Sequence, residues 1–343
     1  MSHARSHSSL VERVTRRLRH EYARRGQPLV WSLRYGLAPR QPRALLTFGG
    51  GIGDHLLCTG VFRALRERGE RRLWMMSNHA GLFRHNPDID RVVPVHDFFI
   101  DLARRAGARY AMLNYTRHIK DEDRDLPPSN HLIVNMCAAY GMDGPVAVRP
   151  FLHLTAAERA AGRIAPRQIT VQSSIMAAAY PIGTKEWYPA RMQEVVSGLR
   201  RRHSVIQLGS PDDPPMEGAL DYRGKTSLRE SAAILSQSLV FISAVGFLMH
   251  LARAVDCRSV VVFGGREHPG QSGYGCNENL FSPVPCAPCW LWNSCPYDRM
   301  CMQRITAGAV LAAAERQIER AGQPLPVDYA EVPRSVPEMG IER

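Results

Sequence analysis

The chain has 343 residues, 45% hydrophobic and 22% charged, a globular mix long enough for two domains with a core each. That excludes a disordered polymer and a fibrous repeat. Formal net charge is +12, yet only Lys120, Lys185 and Lys225 among the 44 basic residues are lysine. Two thirds of the excess lies in residues 1–44, where ten arginines oppose Glu12 and Glu21 for a net of +8. Such a segment suits an anionic membrane surface, an anionic ligand or nucleic acid, or is simply a solvated basic helix face. Tyr22, Trp31 and Tyr35 are its only aromatics, a poor match to the interleaving that RNA binding uses, so nucleic acid is not an expected partner. No apolar stretch near the start resembles a secretory signal. The longest uncharged run, around 235–252, is broken by Ser236, Gln237, Ser238, Ser243, Gly246 and His250 and is no bilayer span.

In chain order, the apolar run at 44–48 predicts a buried strand, followed by a Gly-rich turn and a helix from about Asp54 to Arg68. Further strands are predicted at 73–76, 92–95 and 110–113, with helices between and after them. The pattern weakens over about 140–167, where a linker is placed. It restarts with a strand at 169–172, a helix after Pro189, a strand at 204–209 and a helix near Ser227. Strands at 239–243 and 259–265 complete a second sheet. A long Cys/Pro/Trp loop over 266–302, a helix over 306–320 and a Pro-containing tail end the chain. Strand–helix alternation implies parallel sheets with crossover helices, hence an α/β protein of two doubly wound domains. The expected divisions are a basic leader at 1–42, a first domain at 43–165, a second at 166–320 that includes the Cys loop at 276–301, and a tail at 321–343. A ligand would then sit between the domains at the carboxyl ends of the strands.

Three stretches could carry chemistry. In the first, Gly50, Gly51 and Gly53 follow a buried strand directly, and glycines let backbone N–H groups approach a ligand where a side chain would clash. The pattern is neither a full dinucleotide fingerprint nor a P-loop. Asp54 reads either as a helix cap or as a base that takes a proton from a bound hydroxyl. In the second, Lys185 lies in a loop between a strand and a Pro-started helix, where its charge could meet a phosphate; Trp187 beside it reads as core. In the third, a strand leads through Gly246 into a helix carrying His250, and such a helix start attracts anions. His250 taken alone reads as a packed histidine.

Taken together, FGGGIGDHLLCTG, HNPDIDRVV, GTKEWYP, QLGSPDD, RGKTSLRES, GFLMHLARAV and VFGGREHPG resemble, in that order, the motifs of the heptosyltransferase-like glycosyltransferases of family 9. The resemblance covers roughly residues 43–320. It implies a GT-B fold of two Rossmann-like domains, a nucleotide-diphosphate sugar donor on the second, and inversion at the anomeric carbon without a catalytic metal. By position it implies that Asp54 is the general base, that Lys185 neutralises donor phosphate, and that Asp212 or Asp213 lies where the ribose is held. It implies too that Gly246, Phe247, Leu248, Met249 and His250 form the helix start at the pyrophosphate. One position departs: Val245 stands where the family usually has Asp or Glu. The implied work is transfer of a heptose or related hexose to a glycan, glycolipid or protein hydroxyl. The implied setting is surface glycan or lipopolysaccharide assembly in the cytoplasm, peripheral on the anionic inner face of the inner membrane. The alternatives are a protein O-heptosyltransferase acting on autotransporter-type proteins, and a non-catalytic GT-B scaffold or nucleic-acid- or partner-binding module.

Eight cysteines without an export signal do not suggest a disulfide framework. Cys58, Cys137 and Cys257 read as core, and Cys276 as a spare thiol. Cys286, Cys289, Cys295 and Cys301 have the form C-x2-C-x5-C-x5-C, which can close a tetrahedral site around one zinc or iron ion. With every position filled by protein, that ion would be structural and would fix the long loop; reduced thiols or two disulfides are the alternatives. Among the family's relatives, those that heptosylate autotransporters resemble this chain in carrying a four-Cys iron site.

Overall fold

The computed structural model describes residues 30–36 and 41–334; most of the basic leader and the last nine residues lie outside it. In the first half, β1 (Ala44–Phe48), β2 (Leu73–Met76), β3 (Arg91–Val93) and β4 (Arg109–Leu113) form a parallel sheet in the order β3-β2-β1-β4. Leu45, Leu46, Leu73 and Met75 are fully buried, the both-faces burial that parallel strands carry. Helix α1 (Ile52–Glu67) follows β1 and sets Leu56, Leu57, Val61 and Phe62 into the core.

The second half holds a six-stranded parallel sheet of β8 (Gln168–Val171), β9 (Ser204–Gln207), β10 (Leu220–Asp221), β11 (Phe241–Ala244), β12 (Ser259–Gly264) and β13 (Glu278–Phe281). Their order is β10-β9-β8-β11-β12-β13. Two helices, Pro189–Leu199 and Ala307–Glu319, cover one face through Val195, Val196, Val310 and Ala314. The helices Leu228–Ser236 and Phe247–Ala254 (the latter called α7 below) cover the other. Through these helices the largest buried cluster runs unbroken from Leu46 and Leu56 in the first half to Phe241 and Leu251 in the second.

Two small antiparallel pairs complete the fold: β5 (His118–Ile119) with β6 (Arg124–Asp125), and β7 (Gly144–Ala147) with β14 (Tyr329–Val332). The last pair runs against the sequence reading of the end of the chain. Residues 329–332 form a strand that returns to the first half, with Tyr329 opposite Ala147. The long Cys loop is likewise less irregular than its Pro and Gly content suggests. It contains a short helix at Pro269–Ser272, another at Met300–Gln303, and β13, the edge strand of the large sheet.

Each sheet has one switch point, where strand order reverses and a crevice opens at the carboxyl ends. In the first it lies between β1 and β4; in the second, between β8 and β11.

Candidate active site

The first switch point holds Asp54. After β1 the chain turns through Gly49–Gly51, and α1 begins with Gly51 as its N-cap. Asp54 is the third helical residue, and its Oδ2 accepts the Gly51 N–H at 2.8 Å. It is therefore a cap, as one of its two readings expected. Its other oxygen, Oδ1, accepts the hydroxyl of Tyr115 at 2.8 Å. Tyr115 stands just beyond β4, across the crevice, with its ring 5.5 Å from that of Phe48. Burial pushes the Asp54 carboxyl up to about 6, against the two hydrogen bonds and the nearby Lys185 charge, which hold it down. Gly50 has no room for a side chain, since a Cβ there would lie 2.4 Å from Asp54 Oδ2 and 2.7 Å from the Phe48 ring. A carboxyl that titrates near neutrality and already touches a hydroxyl is suited to accept a proton.

The second switch point holds the start of α7. Gly246 is its N-cap and no side chain caps it, so the N–H groups of its first turn point toward the crevice. The two helix starts meet: a Cβ on Gly53 would sit 3.6 Å from Phe247 Cα and 3.7 Å from the His250 ring. Leu248 and Met249 are buried in the apolar core, so only their backbone is on offer. His250 is also buried, with Nδ1 2.6 Å from the Tyr274 hydroxyl. Burial lowers it to about 3, so it packs as a neutral histidine. Val245 is 2% exposed, among Met249, Val261, Phe263 and Tyr274, and offers the crevice no polar group.

Lys185 enters from the turn after β8. It is not a free cation: its Nζ lies 2.5 Å from Glu267 Oε1. Burial lowers its pKa, Glu267 raises it and Arg266 lowers it again. Trp187, two residues on, is 3% exposed and donates its indole N–H to the Ile305 carbonyl, which is the core role expected of it. The two aspartates part company. Asp212 is exposed, whereas Asp213 is 2% exposed and accepts the Ser210 N–H through Oδ2 at 3.1 Å. Burial moves the Asp213 carboxyl up to about 6. Gly209, at φ +138, leaves the space that this carboxylate fills.

Four residues that the sequence reading did not single out complete the site. Tyr115 holds Asp54. Glu267 and Arg266 follow β12, and Asp125 ends β6; Arg266 joins the last two, its Nη1 2.5 Å from Glu267 and its Nη2 2.7 Å from Asp125.

The cysteines are brought together. Cys286, Cys289, Cys295 and Cys301 line one cavity of about 20 Å³, with Thr184, Gly265, Arg266 and Arg299, room for about one water-sized body. Backbone N–H groups point at the sulfurs: Arg299 N–H at Cys295 Sγ, 3.4 Å away, Leu291 N–H at Cys289, and Gly265 and Met302 N–H at Cys301. Burial raises the Cys289 and Cys301 thiols and these donors work against it; four sulfurs around one small cavity are the donor type that a soft metal ion takes. As placed, the side chains surround the cavity without a closed ligand set; among the described residues no three His, Cys, Asp or Glu groups are gathered as metal ligands. Cys58, Cys137, Cys257 and Cys276 are buried elsewhere.

No protein-family model matches the sequence, and no curated protein does. Solved structures do match. A family 9 glycosyl transferase from Veillonella parvula is 14% identical with a TM-score of 0.58, over 83% of this chain and 99% of that one. The ADP-heptose lps heptosyltransferase II of E. coli is 14% identical with a TM-score of 0.59, over 81% and 99%. The iron-containing dodecameric glycosyltransferase TibC of enterotoxigenic E. coli is 19% identical with a TM-score of 0.62, over 83% and 78%. This chain has their fold. The expected GT-B architecture is therefore the architecture present. At these identities the likeness stops at the fold, and activity rests on the residues above. No helix among the described residues is long and apolar enough to cross a membrane.

Proposed function

We propose that the protein is an inverting glycosyltransferase that moves a sugar from a nucleotide-diphosphate donor to a hydroxyl acceptor. The observation that carries this reading is the meeting of two switch points. A half-buried carboxyl raised to about 6 on one side faces an uncapped helix start on the other, with Lys185 in electrostatic reach of Asp54. Asp54 takes the proton of the acceptor hydroxyl as its oxygen attacks the anomeric carbon. The leaving diphosphate gains charge, which the N–H groups of Phe247, Leu248 and Met249 and the Lys185 ammonium offset. Tyr115 holds the Asp54 carboxyl in line, and the inward turn of Asp213 leaves exposed Asp212 as the acidic group open to a ribose. Heptose or a related hexose as the sugar, and surface glycan or lipopolysaccharide as the product, follow from the family resemblance. So does work on the cytoplasmic face of the inner membrane, and the charge of the basic leader, net +8 over residues 1–44, suits docking there.

Cys286, Cys289, Cys295 and Cys301 would hold one zinc or iron ion. Bound by four protein sulfurs it would supply structural closure of the loop, and every chemical step stays with Asp54, Lys185 and the α7 backbone. The four-Cys cavity also supports a second reading, a protein O-heptosyltransferase acting on autotransporter-type proteins, which follows from the family resemblance. The test of the first reading is a thermal-shift panel of ADP-, GDP-, UDP- and dTDP-sugars. Selective stabilisation by one names the donor; stabilisation by none leaves a scaffold and overturns the proposal.

A further inference from the structure

Lys185 is held before any donor arrives. Its ammonium sits on Glu267 Oε1 at 2.5 Å, and the same oxygen receives Arg266 Nη1 at 2.5 Å. Glu267 Oε2 accepts the Ser272 hydroxyl at 2.5 Å. Arg266 is fixed in turn by Asp125 at 2.7 Å, by the Leu291 carbonyl at 2.9 Å and by the Trp290 ring, 4.7 Å from its guanidinium. Glu267 and Arg266 are 2% and 1% exposed. Two cations and two anions thus form one electrically balanced chain, buried except at Lys185, whose side chain is partly exposed. It runs from the β5–β6 hairpin of the first half to the lysine of the second.

We propose that Glu267 is the positioning residue for Lys185, aiming its ammonium at the donor diphosphate and releasing it when the diphosphate binds. The inference rests on the donor reading above. A lysine side chain is a flexible stem ending in a point charge, and burial without a partner is costly. Glu267 supplies that partner at a fixed place. It can let the lysine go because Arg266 and Ser272 remain on it, so its carboxylate is never left unpaired. Burial tends to raise the Glu267 carboxyl, but Lys185 and Arg266 outweigh it and hold it down at about 2. Glu267 is therefore an anion throughout the working range. It also places an acidic group at the crevice of a chain whose residue 245 is valine.

The test is calorimetric titration of the full-length protein with ADP, GDP, UDP and dTDP between pH 7 and 10, on the unmutated chain, Glu267→Gln, Lys185→Ala and the double variant. The charged groups in reach of Lys185 are Glu267 and Arg266 in its own half and Asp54 on α1, and the titratable His250 on α7 is neutral there. Of these Glu267 gives the largest upward push. Removing its charge must let Lys185 lose its proton at lower pH. Nucleotide affinity of Glu267→Gln should therefore fall on an alkaline limb shifted by roughly one pH unit or more toward neutrality, the loss there being roughly ten- to hundredfold. Lys185→Ala and the double variant should show no such limb. If Glu267→Gln does not fold, Glu267→Asp, which withdraws the charge by one methylene, should show a smaller shift the same way. An alkaline limb identical to that of the unmutated chain overturns the proposal and leaves the donor reading standing. Failure of the unmutated chain to bind any of the four nucleotides overturns both.

Discussion

Asp54→Asn separates the two roles that Asp54 combines. The folded carboxyl titrates near 6, whereas an unfolded aspartate titrates near 3.9. The folded chain therefore keeps its proton longer. Between about pH 4 and 6 the unfolded state has released it and the folded state has not, so stability falls as pH rises through that window and is flat above it. A shift of about two units corresponds to about 3 kcal/mol at most. Asparagine carries no charge to bury. Its Oδ1 can still accept the Gly51 N–H, and its amide can donate to Tyr115. The variant should therefore be the more stable form above pH 7, by up to about 3 kcal/mol, with the difference closing toward pH 4. Denaturant unfolding followed from pH 4 to 8 reads this directly. Turnover should fall at least about a hundredfold, as for loss of a general base. A variant less stable at neutral pH by an amount that does not change with pH would refute the reasoning and make Asp54 a helix cap only. Retention of activity within a fewfold would do the same.

Two further outcomes concern packing and the cysteines. Gly162→Ala should destabilise by about 1–3 kcal/mol or more, because its Cβ would lie 2.0 Å from the Ala233 carbonyl oxygen and 2.8 Å from the Ile234 nitrogen, backbone that cannot give way; a midpoint unchanged in denaturant would contradict this. Elemental analysis of freshly purified protein should find close to one zinc or iron ion per chain, and Cys289→Ser should lower both metal content and melting temperature; a metal-free variant of equal stability would leave the four cysteines as ordinary thiols.

The fold was legible where local pattern decides it. The runs at 44–48, 73–76 and 259–265 are so apolar that both faces had to be buried, and they form β1, β2 and β12. The strands that escaped are those whose pairing is long-range or whose residues are mixed. Leu220–Asp221 is a two-residue exposed edge, Glu278–Phe281 at the opposite edge opens with two polar residues before two apolar ones, and Tyr329–Val332 pairs with a segment far back in the chain. The site divides in the same way. Asp54, Lys185 and Gly246 stood out because a Gly-rich turn, a rare lysine and a strand–Gly–helix step are local signals. Tyr115 left one trace, a polar Asn114–Tyr115–Thr116 run at the end of an apolar strand, where the first switch point lies. Arg266 and Glu267 left another, a charged pair straight after the most apolar strand. What no spacing could supply is that these residues share a carboxylate with Lys185 and a guanidinium with Asp125.

The cysteine loop has to be placed in the same geometry, because it holds both ends of that chain of charges. Trp292 donates its N–H to Asp123 of the first half at 2.8 Å, and the N–H groups of Asn293 and Ser294 both reach the Asp123 carboxylate at 2.9 Å. From the other side, Thr184 donates to the Trp292 carbonyl at 3.0 Å and Gly183 to the Asn293 side chain at 2.8 Å, one and two residues before Lys185. Arg299 reaches across to the Glu186 carbonyl at 3.0 Å. Residues 290–294 are thus a bracket between the hairpin that carries Asp125 and the turn that carries Lys185. Metal closure at the base of such a bracket would add to the hydrogen bonds that hold it. Cys289 and Cys295 flank it directly, and Cys286 and Cys301 bring in the chain on either side. If an ion closes those four sulfurs, as proposed above, it would set the register between an acid of one half and the cation of the other. That connects a site with no part in the chemistry to the residue proposed to meet the leaving diphosphate.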